Sequence, residues 1–361
     1  AGSSASVARI LGLPVVLVVN ARSITRSAAA LVKGFQSFDP EIAIAGVILN
    51  NVSGESHAEK ACSAIEHYCG VPVLGTVPRL PELSLGMRHL GLVPFRECGD
   101  TREFRERIGR ITEEIGRSVD LAAVVSAARD ITPPPADTSC FSPAADRDVR
   151  IGVAYDHVFN FYYADLFDVL AAMGAEVRFF SPAGGILPDA DGYIIGGGYP
   201  ELHAAALSGN DAVRESLRHA AREGVPIYAE CGGLMYLTRE LVIAKGWEGH
   251  GEETRYPLCG VFPGKTLMPS RRVVSYVEGE SNGENPMGTA RFRGHEFHYS
   301  EVILPEGTRY AYRLSRGRGI RDGLDGAVCG RTIGSYTHLH PVASRSMFRR
   351  FVAACRNGGD A

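Results

Sequence analysis

Apolar residues in the first third of the chain come in short unbroken runs rather than in strict alternation. Pro14–Asn20, Ile42–Asn51 and Val71–Pro78 are strand-sized runs dominated by Val, Ile and Leu. Helical stretches separate them, an Ala-rich one over Ser27–Phe35 and a second over Ala58–Tyr68, and a charged amphipathic helix over Thr101–Ser118 follows. Continuous apolar strands between helices predict a parallel sheet covered on both faces. The pattern stops at Ile131–Asp146, a Pro/Ser/Ala-rich aperiodic stretch that reads as a linker. It restarts at Val149. Strand-like segments at Val149–Asp156, Glu176–Phe180, Gly192–Ile195 and Pro226–Ala229 are interleaved with helices at Tyr163–Met173 and Asp211–Arg222. The last third carries strands within Arg291–Ile303 and around Gly330–Thr337, then a closing helix over Ser344–Cys355. The reading is two α/β domains, residues 1–128 and 149–361, joined by residues 129–148, with no repeat between them.

Length agrees with this, since 361 residues exceed one ordinary core. Apolar residues at 45% and charged residues at 22% are a globular balance, and a net charge of -3 gives no electrostatic case for nucleic acid or an anionic membrane surface. No apolar run approaches the roughly 20 residues of a membrane span. Eight cysteines occur without a C-x-x-C pair, so zinc-ribbon and redox spacings are absent and no metal site is expected. Several lie in apolar stretches as buried thiols would, and a cytoplasmic location is the expectation. Ala1–Ser6 has neither an initiator Met nor a signal-like stretch, and reads as a cloning remnant, a processing product or the middle of a longer chain.

The candidate chemistry lies in the second domain. In Val225–Leu237 an apolar strand runs into Glu230-Cys231, then Gly232-Gly233, then an apolar helix. That is the layout of a nucleophile elbow, where small neighbours accommodate a strained turn and the helix N-terminus favours a thiolate and an oxyanion. A buried structural cysteine at a strand end is the alternative. Asp191–Leu202 holds a strand ending in Gly196-Gly197-Gly198, whose amides can approach a ligand without Cβ obstruction. Beside a cysteine elbow, Gly197 and Gly198 become candidate oxyanion donors together with Gly232. Cysteine chemistry on amides also needs an imidazole. Gly334-Ser-Tyr-Thr-His338-Leu-His340 offers two, spaced to face one side of an extended segment.

Gly196–Glu201, Ala229–Tyr236 and Ser335–His340 together resemble the class I glutamine amidotransferase domain of the cobyrinate a,c-diamide synthases, including the methanogen branch that acts on Ni-sirohydrochlorin. Phe159–Tyr163, Arg293–Ser300 and Arg88–Val93 match as well, so the resemblance covers nearly the whole chain in order. It implies a flavodoxin-like amidotransferase domain after a partial P-loop, dethiobiotin-synthetase-like domain. It also implies ATP- and glutamine-dependent amidation of two acetates of a tetrapyrrole polycarboxylate, with Cys231 as nucleophile and His338 as proton shuttle. ATP and Mg2+ are the implied cofactors of the full-length enzyme, and glutamine and the tetrapyrrole its partners, with a homodimer left open. Two positions depart from the class I pattern. His340 stands where a glutamate is usual, which predicts a Cys–His dyad in place of a triad, and Met235 stands four residues after the cysteine where a glutamine is usual.

In the first domain no G-x-x-x-x-G-K-[ST] segment occurs, and the chain reads as lacking the N-terminal ATP-binding portion. Asn50 and Asn51 resemble a purine-reading strand end or are a polar terminus. Asn20 falls where relatives carry an acidic residue, and has no charge to offer magnesium. Arg88 and His89, and in the second domain Arg293, His295 and His298, are candidates for the substrate's carboxylates, against a solvated turn and cross-strand packing respectively. A stand-alone cysteine hydrolase and a non-catalytic tetrapyrrole-binding fragment are the competing functions.

Overall fold

The computed structural model describes residues 3–85, 101–128, 138, 141–144 and 146–359, and its chain divides into two compact units, Ala1–Ala136 and Asp137–Ala361. Arg88, His89 and most of the expected linker lie outside the described residues.

The first unit opens with α1 (Ser4–Leu11), an unforeseen short helix closed by a side-chain cap from Ser3 and a left-handed Gly12. Strands β1 (Val15–Asn20), β2 (Ile44–Val52) and β3 (Val73–Pro78) then form a parallel sheet in that order. Helices α2 (Ser27–Phe38) and α3 (Glu55–Cys69) follow the first two strands, and α4 (Arg102–Ser118) and α5 (Leu121–Ala127) follow the third. Val19, Ala29, Val32, Val47, Leu49, Ala61 and Ile65 fill the space between sheet and helices.

The second unit is built on a ten-stranded sheet. Its strands, in chain order, begin with β4 (Val149–Ala154), β6 (Ala175–Phe180), β7 (Gly192–Ile195) and β9 (Ile227–Glu230); short β5 (Phe159–Phe161) and β8 (Gly197–Gly198) pair beside it. A side sheet holds β10 (Thr238–Ile243), β11 (Thr254–Pro257), β12 (Phe262–Met268) and β15 (Glu301–Ile303). The main sheet continues with β13 (Val273–Ser281), β14 (Ala290–His298), β16 (Arg309–Arg316), β17 (Leu324–Cys329), β18 (Thr332–Ser335) and β19 (His338–Leu339). Its parallel half runs β6-β4-β7-β9-β18, the flavodoxin-like order. The other half, β17-β16-β13-β14-β19, is antiparallel.

That antiparallel half and the side sheet are where the sequence reading falls short. The long strands β13 and β14 alternate buried and exposed positions, with Val277, Phe292 and His298 inward and Arg291 and Arg293 outward. A sheet with one wet face does not produce the apolar runs by which the parallel strands were found. Two cores flank the main sheet. One packs Val213 and Leu217 of α8 (Asp211–Arg222), which follows α6 (Asp165–Ala172) and α7 (Ala204–Gly209), together with Leu234 and Leu237 of α9 (Gly232–Leu237). The other packs Leu166 and Leu170 of α6 against Met347, Phe348, Phe351 and Val352 of α10 (Arg345–Arg356). Among the described residues no helix is long and apolar enough to cross a membrane.

Candidate active site

Strands β7, β9 and β18 are parallel neighbours, so their C-terminal ends open at one edge of the sheet. In open α/β sheets that edge is where ligands bind. Cys231 follows β9 directly, and its backbone adopts φ 47°, ψ -100°, a left-handed value that a non-glycine residue holds only where the surroundings impose it. The imposing contacts are visible. The Cys231 amide donates to Ser335 O at 2.7 Å, at the end of β18, and the Cys231 carbonyl accepts from Met235 N at 3.0 Å as α9 begins. Next to the cysteine, a Cβ on Gly233 would stand 2.1 Å from Ile195 O, so only glycine lets α9 start this close to β7.

His338 reaches the thiol from β19. The segment before it is tied down by Asp325, a fully buried carboxyl that accepts from Tyr336 N (3.0 Å), Thr337 N (2.9 Å) and the Thr337 hydroxyl (2.7 Å). Burial lifts that carboxyl to about 6, while the same hydrogen bonds pull it the other way. The His338 imidazole lies beside the Cys231 thiol, which approaches Phe297 O at 3.8 Å, and its Nδ1 lies 3.2 Å from Glu230 Oε2. Burial disfavours its charged form, yet the bonds to Cys231 and Glu230 outweigh burial and raise it to about 10. On its open face the ring stacks on His295 of β14, centroids 4.9 Å apart and planes 14° from parallel. Burial, then the His338 charge, depress His295 to about 4, so it stays neutral beside a charged neighbour.

The expected glycines converge here. A Cβ on Gly197 would stand 2.7 Å from His338 Cε1, and one on Gly232 would stand 2.9 Å from Gly198 N. Gly197, Gly198 and Gly232 thus wall the space around the thiol and imidazole.

Residues 150–346 match the CobB/CobQ-like glutamine amidotransferase domain, and residues 2–85 match an AAA domain. Cobyrinate a,c-diamide synthase of Methanosarcina acetivorans is 48% identical over 98% of this chain and 74% of its own. The chain belongs to that family. The synthases of Methanosarcina barkeri, at 47% identity over 99% of this chain and 76% of the relative, and of Methanothermobacter thermautotrophicus, at 42% over 95% and 74%, agree.

In this member of the a,c-diamide synthase family the two histidines of the C-terminal segment lie apart. His340 does not share a face with His338, because β19 ends at Leu339. Its ring instead packs on Tyr163 with centroids 4.4 Å apart, and its Nε2 lies 3.8 Å from Asp165. The carboxylate beside His338 is Glu230, which sequence reasoning passed over. The available signal was an acid immediately before a nucleophile, where an unpaired carboxylate would oppose a thiolate.

The other candidates scatter. Arg293 is exposed and 3.4 Å from Glu278 on the next strand. His298 is turned inward, stacked on Tyr336 at 3.6 Å with its Nδ1 2.9 Å from Ser300 O, so it does not face a solvent-borne carboxylate. Met235 is buried in the core. In the first unit Asn51 has φ 63° and donates to Asn20 Oδ1 at 3.1 Å, and both Asn50 and Asn51 line a cavity with Pro78, Arg79 and Glu114. Among the described residues no group of three His, Cys, Asp or Glu side chains is placed to hold a metal ion. Asn20 is neutral, so these residues do not fit magnesium and no step is routed through it.

Proposed function

We propose that this chain hydrolyses glutamine at Cys231, and that in the full-length enzyme the ammonia amidates the a and c acetates of a tetrapyrrole polycarboxylate, cobyrinate being the substrate named for its relatives. The observation that carries the reading is the thiol of Cys231 held at a left-handed turn with the His338 imidazole beside it. The thiolate attacks the carboxamide carbon, and the developing oxyanion meets the amides around Gly197, Gly198 and Gly232. The His338 imidazolium gives its proton to the leaving nitrogen, so ammonia departs and a glutamyl thioester remains. The neutral imidazole then takes a proton from water, whose hydroxyl opens the thioester to glutamate and restores the thiol. In the full-length enzyme ATP would supply a phosphoryl group to each acetate, leaving as ADP, and ammonia would displace the phosphate. Asn50 and Asn51 are the candidates here for holding the nucleotide, and Arg88, His89, Arg293 and His295 for the substrate's carboxylates.

The test is glutamate release from glutamine by this chain and by Cys231→Ala. Release that disappears with the thiol supports the reading, and undiminished release by the variant overturns it. Offering cobyrinate and Ni-sirohydrochlorin side by side to the full-length enzyme, with glutamine and ATP, identifies the macrocycle.

A further inference from the structure

Glu230 and Cys231 are consecutive, yet both meet the same imidazole. In a regular strand their side chains would point to opposite faces. The left-handed turn at Cys231 breaks the alternation, so that the thiol and the Glu230 carboxylate, the latter 3.2 Å from Nδ1, both interact with the His338 ring. The carboxylate is held from two further directions. Its Oε1 accepts from Leu339 N at 3.0 Å and from the buried Tyr228 hydroxyl. Its side chain is only 12% exposed, and that of His338 only 10%. A buried carboxylate is costly unless paired and hydrogen-bonded, and here each oxygen has a donor.

We propose that Glu230 is the positioning carboxylate of the glutaminase, completing a Glu–His–Cys triad in which acid and nucleophile are adjacent in sequence. It fixes the tautomer by accepting a hydrogen bond from Nδ1–H, keeps the other nitrogen aimed at the thiol, and stabilises the imidazolium. Among the described residues no other acid competes for that task. Asp325 spends both oxygens on Tyr336 and Thr337, and Asp165 belongs to His340. The remaining titratable groups facing His338 are Cys231, His295, His298 and, behind Glu230, Tyr228. The arrangement also explains how a carboxylate is tolerated one residue from a thiolate, since the imidazolium stands between them.

This inference rests on the glutaminase reading, and the experiment separates the two. Glu230→Gln keeps the size of the side chain but loses the charge, and its amide nitrogen must face a donor on one side. The variant, folded by circular dichroism, is expected to lose on the order of 10²–10⁴-fold in kcat with KM little changed, and Glu230→Asp to recover part of it. Iodoacetamide alkylation of Cys231 across pH is read in parallel and needs no turnover. In Glu230→Gln its midpoint should move upward, because the imidazolium that favours the thiolate is itself less stable. Wild-type kcat and an unmoved alkylation profile in Glu230→Gln would overturn the role of Glu230 alone. Glutamate release that persists in Cys231→Ala would overturn the glutaminase reading and this one with it.

Discussion

Gly197 lies so close to His338 that a Cβ built on it would stand 2.7 Å from the imidazole Cε1. The clash has nowhere to go cheaply, because the ring is stacked on His295 and bonded to Cys231 and Glu230. Gly197→Ala should therefore push the base off its line to the thiol. Misplacement of about 1 Å costs on the order of 10²-fold in turnover, while overpacking costs about 1–3 kcal/mol in stability. Steady-state glutaminase rates beside urea melts check this, and wild-type turnover with wild-type stability would show that the ring has room.

The two histidines of the C-terminal segment should separate cleanly. His338→Ala removes the group bonded to the thiol, and a general base is worth on the order of 10²–10⁴-fold. His340→Ala removes only a half-exposed ring against Tyr163 and Asp165, and should leave glutamate release within a few-fold of wild type. Alkylation of Cys231 should likewise shift in His338→Ala and barely move in His340→Ala. The reverse order in both assays would transfer the role to His340.

Asp325→Ala tests how the base is held in place. The substitution orphans the buried Tyr336 and Thr337 amides, each at a cost on the order of 1–3 kcal/mol. A drop in Tm together with a fall in kcat is expected, since the same carboxyl holds the residues that lead into His338. A stable variant with unaltered turnover would mean that the segment is held by β19 pairing alone.

Stability should fall on both sides of a mildly acidic optimum. Burial depresses His295 and His298 to about 4, so between pH 6.5 and 4 the unfolded chain binds protons that the folded chain refuses. Each therefore withdraws stability as pH falls through that window. Asp325, raised by burial to about 6, opposes them over its lower part, because the folded state keeps a proton there that the unfolded state releases. His338, held protonated to about 10, contributes stability that is complete below pH 6.5 and is lost as pH rises toward 10. Urea midpoints measured from pH 4 to 10 read both limbs. A profile level below pH 6.5, or an acid limb unchanged in His298→Gln, counts against this assignment.

Much of the molecule was legible without coordinates. The parallel strands announce themselves as unbroken apolar runs, as in Val15–Val19 and the buried Ile227–Ala229. Helix α4, capped by Thr101, and helix α8 follow from their amphipathic patterns. Strands β13, β14 and β16 were blurred, because their wet faces carry Arg291, Arg293 and Arg313 among the apolar positions.

The sequence alone determined which residues have the chemistry and which backbone positions must be glycine. A cysteine after an apolar strand, followed by Gly232 and Gly233, is a local pattern, since the turn needs only its immediate neighbours. Which acid meets His338 was a tertiary decision. Glu230 and His338 are 108 residues apart, and they meet only because β18 pairs beside β9 and carries the segment beyond Ser335 over the elbow. His340, two residues from His338 and chemically identical to it, lies against Tyr163 and Asp165 for the same kind of reason. Its strand ends one residue too early, and no pattern of residue types along the chain records where that pairing stops.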